Sequence, residues 1–217
     1  MELKRNLVDQ LYSLLKERII TLGLEPGARL TLQDLAQEFE VSQTPIRDAL
    51  MRLSKDGLVR FVPAVGYYVI KLSVRDVIEI YDLRQLLEGY AVRSSVAHMD
   101  TKKLREIRQK IERQQDEPHI LNQKLHLEIV KSSDNKRLQD LYTQIYDFVR
   151  ICQYTHRRIS GGIAKAAKEH LALIDAILQK NAEKAKQILE MHIGNARDEI
   201  IETLEKHPNA KKLDPVG

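Results

Sequence analysis

The sequence predicts a mainly α protein in two bodies: a small amino-terminal head of three helices with a two-stranded hairpin, and a carboxy-terminal all-helical bundle. Three observations predict it. Between residues 6 and 53 apolar residues recur at helical spacing in three segments, broken at Gly23, at Pro26-Gly27 and around Glu40-Val41. Residues 58–70 then read as two short strands flanking Pro63-Ala64-Val65-Gly66. From Val74 onward no strand pattern returns. With no Trp and only 5% aromatic residues, both cores must be built mainly from Leu, Ile, Val and Ala.

Residues 6–22 set Leu7, Leu11, Leu14, Leu15, Ile19 and Leu22 on one helical face, and Gly23 ends the segment. Residues 30–40 form a short helix with Leu32, Leu35, Ala36 and Phe39 inward. The next helix spans residues 41–53, where Ile46, Leu50 and Leu53 make a narrow apolar stripe and leave Gln43, Thr44, Arg47 and Met51 on the opposite side. Ser42 or Thr44 caps its first turn, where Pro45 is tolerated because its missing N–H has no partner to lose there. Two short helices joined by so tight a turn form a helix-turn-helix. Strands at 58–62 and 67–70 hang a wing beside the second helix, so the head is a winged helix-turn-helix.

Near Lys71-Leu72-Ser73 the period of two gives way to a long helical pattern, which divides the chain into residues 1–72 and 73–208, with a loose tail at 209–217. Ser73 caps a helix beginning at Val74, with Asp76 and Glu79 near its positive end. Helical segments follow at 78–98, 101–115, 118–132, 136–156, 163–180 and 182–206, with breaks near Asp100, Glu117-Pro118, Ser133-Asp134-Asn135, Gly161-Gly162 and Asn181. Six helices with short connections make a bundle, and Pro208 ends it.

The net charge of +4 permits a nucleic-acid partner without demanding one. The excess is local: within residues 41–71, Arg47, Arg52, Lys55, Arg60 and Lys71 face only Asp48 and Asp56. No apolar run approaches the length that spans a bilayer and no secretory pattern opens the chain, so no membrane partner and a cytoplasmic location are expected. The single Cys152 has no partner for a disulfide or a zinc site and reads as a small core residue.

The ordered set Leu24-Glu25-Pro26-Gly27-Ala28-Arg29-Leu30, Leu35-Ala36, Val41 through Leu50 and Asp56-Gly57-Leu58-Val59 resembles the DNA-binding domain of the GntR transcription regulators. That resemblance implies double-stranded DNA as partner: a second helix in the major groove, a wing at Gly66 near the minor groove, and Gln43, Thr44 and Arg47 on base edges or phosphates. Gln33 and Arg52 complete the implied DNA-binding set. It further implies a homodimer reading a palindromic operator. The family usually carries Arg where Gln43 stands and often a charge at Gln33; Gln pairs bidentately with adenine where Arg favours guanine, so typical operators do not carry over.

The bundle is similar to the FCD effector domain of the FadR branch of that family, through Asp82-Leu83-Arg84-Gln85-Leu86-Leu87-Glu88, Leu125-His126, Ser132 to Asn135, Glu169-His170 and Met191-His192. The resemblance implies a divalent metal, zinc, nickel or similar, held by Asn122, His126, His170 and His192. Asn122 stands where Asp is common, and its amide brings no charge to the site. Arg84 either holds the carboxylate of a small organic acid or pairs with Glu88 one turn on as a surface ion pair. The implied function is a ligand-responsive regulator whose repression a small carboxylate effector relieves; the alternative is a metal sensor in which the ion itself is the signal. An enzyme is not expected, because Asn122 cannot act as a general base beside the histidines.

Overall fold

A computed structural model describes residues 2–115, 118–160 and 164–206. The expected tail at 209–217, the stop at Pro208, the break at Gly161-Gly162, the helix start at Ile163 and the Glu117 side of the preceding break lie outside the described residues. The described chain separates into two compact units, one ending at Ser73 and the other spanning Val74–Lys206.

In the first unit the elements run α1 (Glu2–Ile20), β1 (Arg29–Leu30), α2 (Leu32–Glu38), α3 (Gln43–Lys55), β2 (Val59–Val62) and β3 (Gly66–Val69). Helix α1 buries Leu11, Leu15, Ile19 and Ile20 and packs against α3, whose Ile46, Ala49, Leu50 and Leu53 are fully enclosed. Leu14, expected on the apolar face, is instead about half exposed. The turn between α2 and α3 closes because Glu40 adopts a left-handed conformation (φ 54°) and the Val41 amide donates to the Ala36 carbonyl at 3.0 Å.

Helix α2 is shorter than the 30–40 segment read from the sequence. Leu30 belongs to a strand: Arg29 pairs with Tyr68 and Leu30 with Tyr67, giving an antiparallel sheet in the order β1-β3-β2. A two-residue strand is too short to show a period of two, so it left no pattern to find. Thr31 then caps α2, its hydroxyl accepting from the Asp34 amide at 3.1 Å. Ser42 occupies the corresponding position before α3 but makes no side-chain cap bond. In the wing, Ala64 (φ 61°) and Gly66 (φ 134°) turn the chain, and the Arg29 guanidinium donates to the Val65 carbonyl at 2.7 Å, tying the wing to β1. Gly66 sits where any side chain would be strained.

The second unit consists, among the described residues, of α4 (Val74–Ser95), α5 (Thr101–Arg113), α6 (Pro118–Lys131), α7 (Lys136–Ser160), α8 (Ala164–Leu178) and α9 (Ala182–Lys206). Asp100 caps α5 by accepting from the Lys102 and Lys103 amides, and Gln114 closes it in a left-handed conformation (φ 51°). Helix α4 is central, packed against α6, α7 and α9, while α8 bridges α9 and α5. Leu104, Leu125, Ile129, Leu173, Ile174 and Leu189 fill the interior. Cys152 is part of that interior, and burial pushes its thiol up to about 12, which leaves it inert.

Candidate nucleic-acid interface and metal centre

Helix α3 buries its apolar stripe, so residues at the complementary angles must face outward. Gln43, Arg47 and Met51 follow one another at i, i+4 and i+8 and share that outer face. With Gln33 of α2 and with Phe61 and Gly66 of the wing they line a concavity of about 870 Å³. Lys55 and Arg29 line it too, and none of its lining residues is acidic. A basic, open hollow flanked by a helix and a hairpin suits a phosphate backbone and a groove edge.

Two of the expected DNA-binding residues stand elsewhere. Thr44 is exposed in the first turn of α3 without lining the concavity. Arg52 turns toward α1, where it bonds Asp9 and lies 4.4 Å above the Tyr12 ring, so its charge is engaged within the head. The hollow also exposes Met51, on the outer face that the apolar stripe implies, and Phe61, which the sequence marks only as a strand position. The Phe61 and Tyr67 rings meet across the two wing strands with centroids 4.9 Å apart and a tilt of 42°.

In the bundle, three helices deliver one histidine each to a common point. His126 of α6 follows the buried Leu125, His170 of α8 precedes Leu173, and His192 of α9 sits between Leu189 and Ile193, so helical spacing carries all three rings inward with the core. Their potential ligand nitrogens lie within 4.8 Å of one another. The His192 Nε2 stands 3.3 Å from His126 Nε2 and 3.2 Å from His170 Nε2. Burial drives the His126 ring down to about 4 and the His170 ring well below the ordinary imidazole range, so both are neutral at physiological pH. Imidazole nitrogens converging from three helices fit a divalent transition ion such as zinc or nickel. Asn122 lies one turn before His126 and is half-buried.

The sequence reading found no acidic group beside these rings; the structure places two. Glu88 Oε2 meets His126 Nδ1 at 2.5 Å and Glu169 Oε2 meets His192 Nδ1 at 2.7 Å. Glu88 is fully buried and its Oε1 accepts from Arg84 Nε at 2.7 Å and from the Tyr142 hydroxyl at 2.8 Å. Burial alone would raise its carboxyl, but the His126 ring and the Arg84 guanidinium outweigh that and hold it at about 2. Arg84 therefore does pair with Glu88, yet at 1% exposure this is an interior pair and not the surface bridge weighed from sequence. Both carboxylates are engaged as acceptors, Glu88 with His126 and Glu169 with His192 and Asn195. Helical spacing pointed to Arg84 and Glu88 as neighbours; Tyr142 and Asn195, which bonds Glu169, join only through tertiary packing.

A family model described as "Bacterial regulatory proteins, gntR family" matches residues 7–69, and one described as "FCD domain" matches residues 79–195. The HTH-type transcriptional regulator YdhC of Bacillus subtilis is 30% identical over 206 residues, covering 91% of this chain and 92% of that protein. The Nta operon transcriptional regulator of Aminobacter aminovorans is 24% identical, with 85% and 90% covered. Among solved structures, a GntR regulator from Rhodococcus superposes with a TM-score of 0.77 at 20% identity, over 90% of this chain and 97% of that one. A structure described as the metal-free FCD domain of TM0439 superposes with a TM-score of 0.53 at 22% identity, over 63% of this chain and 99% of that one.

Proposed function

This chain belongs to the GntR family of bacterial regulatory proteins and is a transcriptional regulator with a DNA-binding helix-turn-helix head and an FCD domain, and from that premise we propose that it is a cytoplasmic repressor released by a small organic acid. The acid binds in the bundle beside a divalent ion held by His126, His170 and His192. The observation that carries this reading is the convergence of three buried ring nitrogens within 4.8 Å. A bound ion would supply there the positive charge that a carboxylate seeks. On the DNA side, Gln43, Arg47 and Gln33 read base edges or contact phosphates from the concave face while Gly66 lets the wing approach the backbone closely. The acid changes DNA affinity only to the extent that it binds one arrangement of the protein better than another.

Elemental analysis together with mass spectrometry of the purified protein tests ion and acid at once. His170→Ala is expected to blunt the response of operator binding to the acid while DNA affinity without acid stays within about twofold, since the ring belongs to the bundle and not to the residues that line the head's hollow. An unchanged response in an operator-shift titration would refute the site.

The engagement of Arg84 favours a second reading, in which the ion itself is the signal. The guanidinium Nε, the group expected to fork onto an acid, is bonded to Glu88 at 2.7 Å. Titrating zinc or nickel alone against operator binding separates the two, because a metal sensor needs no acid.

A twofold repressor needs a self-complementary surface, and α4 supports one. Leu83, Leu86 and Tyr90 stand at i, i+3 and i+7 and are 48%, 70% and 55% exposed. Leu86→Lys is expected to convert a dimer to a monomer in light scattering and to weaken palindrome binding by at least about tenfold, the loss that follows when two half-sites no longer bind as one. A variant that stays dimeric places the interface elsewhere.

A further inference from the structure

We propose that Glu88 and Glu169 are positioning residues of the histidine centre: they fix the protons of His126 and His192 on Nδ1, so that both rings present a bare Nε2, and His170 alone changes tautomer when a divalent cation loads. The inference rests on the metal reading above. A carboxylate can only accept, so the ring nitrogen facing it must carry the hydrogen. Glu88 cannot relax away from that role, because Arg84 on its own helix α4 and Tyr142 on α7 hold its Oε1 while His126 on α6 meets its Oε2. Glu169 is held in the same manner: its Oε2 faces His192 Nδ1 at 2.7 Å, and its Oε1 accepts from Asn195 Nδ2 at 2.7 Å. Asn195 lies three residues beyond His192 on α9, so the helix that carries the ring also steers the carboxylate that orients it.

With that proton on Nδ1, the nitrogen each ring turns to the common point is Nε2, and the His126 and His192 Nε2 atoms stand 3.3 Å apart, too close for both to carry a hydrogen. Such an arrangement is ready for a cation, since carboxylate-anchored imidazoles are stronger ligands in a fixed orientation. His170 differs. Among the described residues no carboxylate faces its ring, and its Nε2 lies 3.2 Å from His192 Nε2. A hydrogen bond across that gap needs a proton, which only His170 has to give. In the cation-free protein His170 therefore carries Nε2–H and donates it to His192. His170 would hold a cation only through a bare Nε2, so on loading its Nε2 proton would pass to water while Nδ1 takes one up from water, and the ring would keep one proton.

Long-range nitrogen–proton spectra of protein labelled at its histidines, first stripped with chelator and then titrated with zinc alone, read all three tautomers. His126 and His192 are expected as Nδ1–H throughout, with His170 moving from Nε2–H to Nδ1–H as zinc is added. Glu169→Ala is expected to weaken zinc binding by about 10- to 100-fold and to mix the His192 tautomers, with Glu169→Gln restoring much of both because its carbonyl still accepts the Nδ1 proton. Loss of Glu88 leaves Arg84 buried without a counter-charge, so its variant is paired, Arg84→Met with Glu88→Ala, and the same loss of zinc affinity is expected. Should that pair fail to fold, the Glu169 variants decide the matter, since Glu169 is 14% exposed and its loss costs the interior less. Either His126 or His192 protonated at Nε2 in the stripped protein, or Glu169→Ala binding zinc within twofold of wild type, overturns the assignment. If the wild type takes up no zinc, the metal reading falls, while the stripped-state spectra still decide where the protons sit.

Discussion

Arg47→Ala abolishes specific operator binding while the protein stays folded. The guanidinium projects from the middle of the outer face of α3 into a hollow with no acidic lining residue, between Gln43 one turn before and Met51 one turn after. A single bidentate contact to a base is worth about 1–3 kcal/mol, a loss of about 5- to 150-fold in affinity at each half-site, and removing it from both erases much of the margin over non-specific sites. The fold is spared because Arg47 is exposed, whereas the neighbouring Ile46, Ala49 and Leu50 carry the packing; a surface change of this kind costs within about 0.5 kcal/mol. Arg52→Ala provides the contrast. Its partners are Asp9 and the face of Tyr12, so it is expected to lower the thermal midpoint slightly and leave operator discrimination in place. Fluorescence anisotropy on operator and scrambled duplexes at matched salt measures both variants. An Arg47→Ala protein that retains wild-type discrimination contradicts the docking.

The contrast between these two arginines marks how far the sequence reaches. Both lie on one helix and both are basic, and residue type cannot say which side of the helix meets solvent and which meets another element. The apolar stripe Ile46, Leu50, Leu53 fixed the buried direction and so put Arg47 outward, but the placement of Arg52 depended on where Asp9 and Tyr12 of α1 would lie. The winged helix-turn-helix and the six-helix bundle were legible because long periodic segments and glycine or proline breaks mark them locally. The two-residue strand β1 was not, since it exists only as a partner of β3. In the bundle the three histidines stood out through the resemblance to the FCD domain, at positions in the middle of the expected helices. Their carboxylate partners did not: Glu169 reaches across from α8 to a ring on α9, and Glu88 from α4 to a ring on α6, which are tertiary facts. Burial also changed the meaning of a pair the sequence had found. Arg84 and Glu88 at i and i+4 read as a bridge of small worth in water, but at 1% and 0% exposure the same pair becomes an interior network joined by Tyr142 and His126.

That network makes the stripped protein strongly sensitive to acid, in two successive windows whose signs follow from the rings and the carboxylate. Burial holds His126 at about 4 against an ordinary 6.5, and depresses His170 in the same direction. Between those values the unfolded chain takes up protons that the folded chain refuses, so stability falls as the pH drops from about 6.5 toward about 4. The size is on the order of a few kcal/mol, a large share of the roughly 5–15 kcal/mol that keeps a domain folded. Glu88 acts lower. Its carboxyl is held at about 2 against an ordinary 4.5, so its contribution is complete above 4.5 and is lost as the pH falls from there toward 2. His126→Asn, which removes one titrating ring and keeps an amide that can reach toward Glu88, is expected to shrink the upper window and to narrow the lower one, because the ring is the first of the groups that hold the Glu88 carboxyl down. Replacing Glu88 alone by Ala instead destabilises at every pH by about 3–5 kcal/mol, because Arg84 keeps its charge in the interior with nothing to meet it. Urea unfolding at a series of pH values, with chelator present so that ion release adds no proton dependence of its own, measures both windows. A midpoint that stays level from pH 7 to pH 4.5 would show that these rings meet water, and the enclosed histidine centre would go with it.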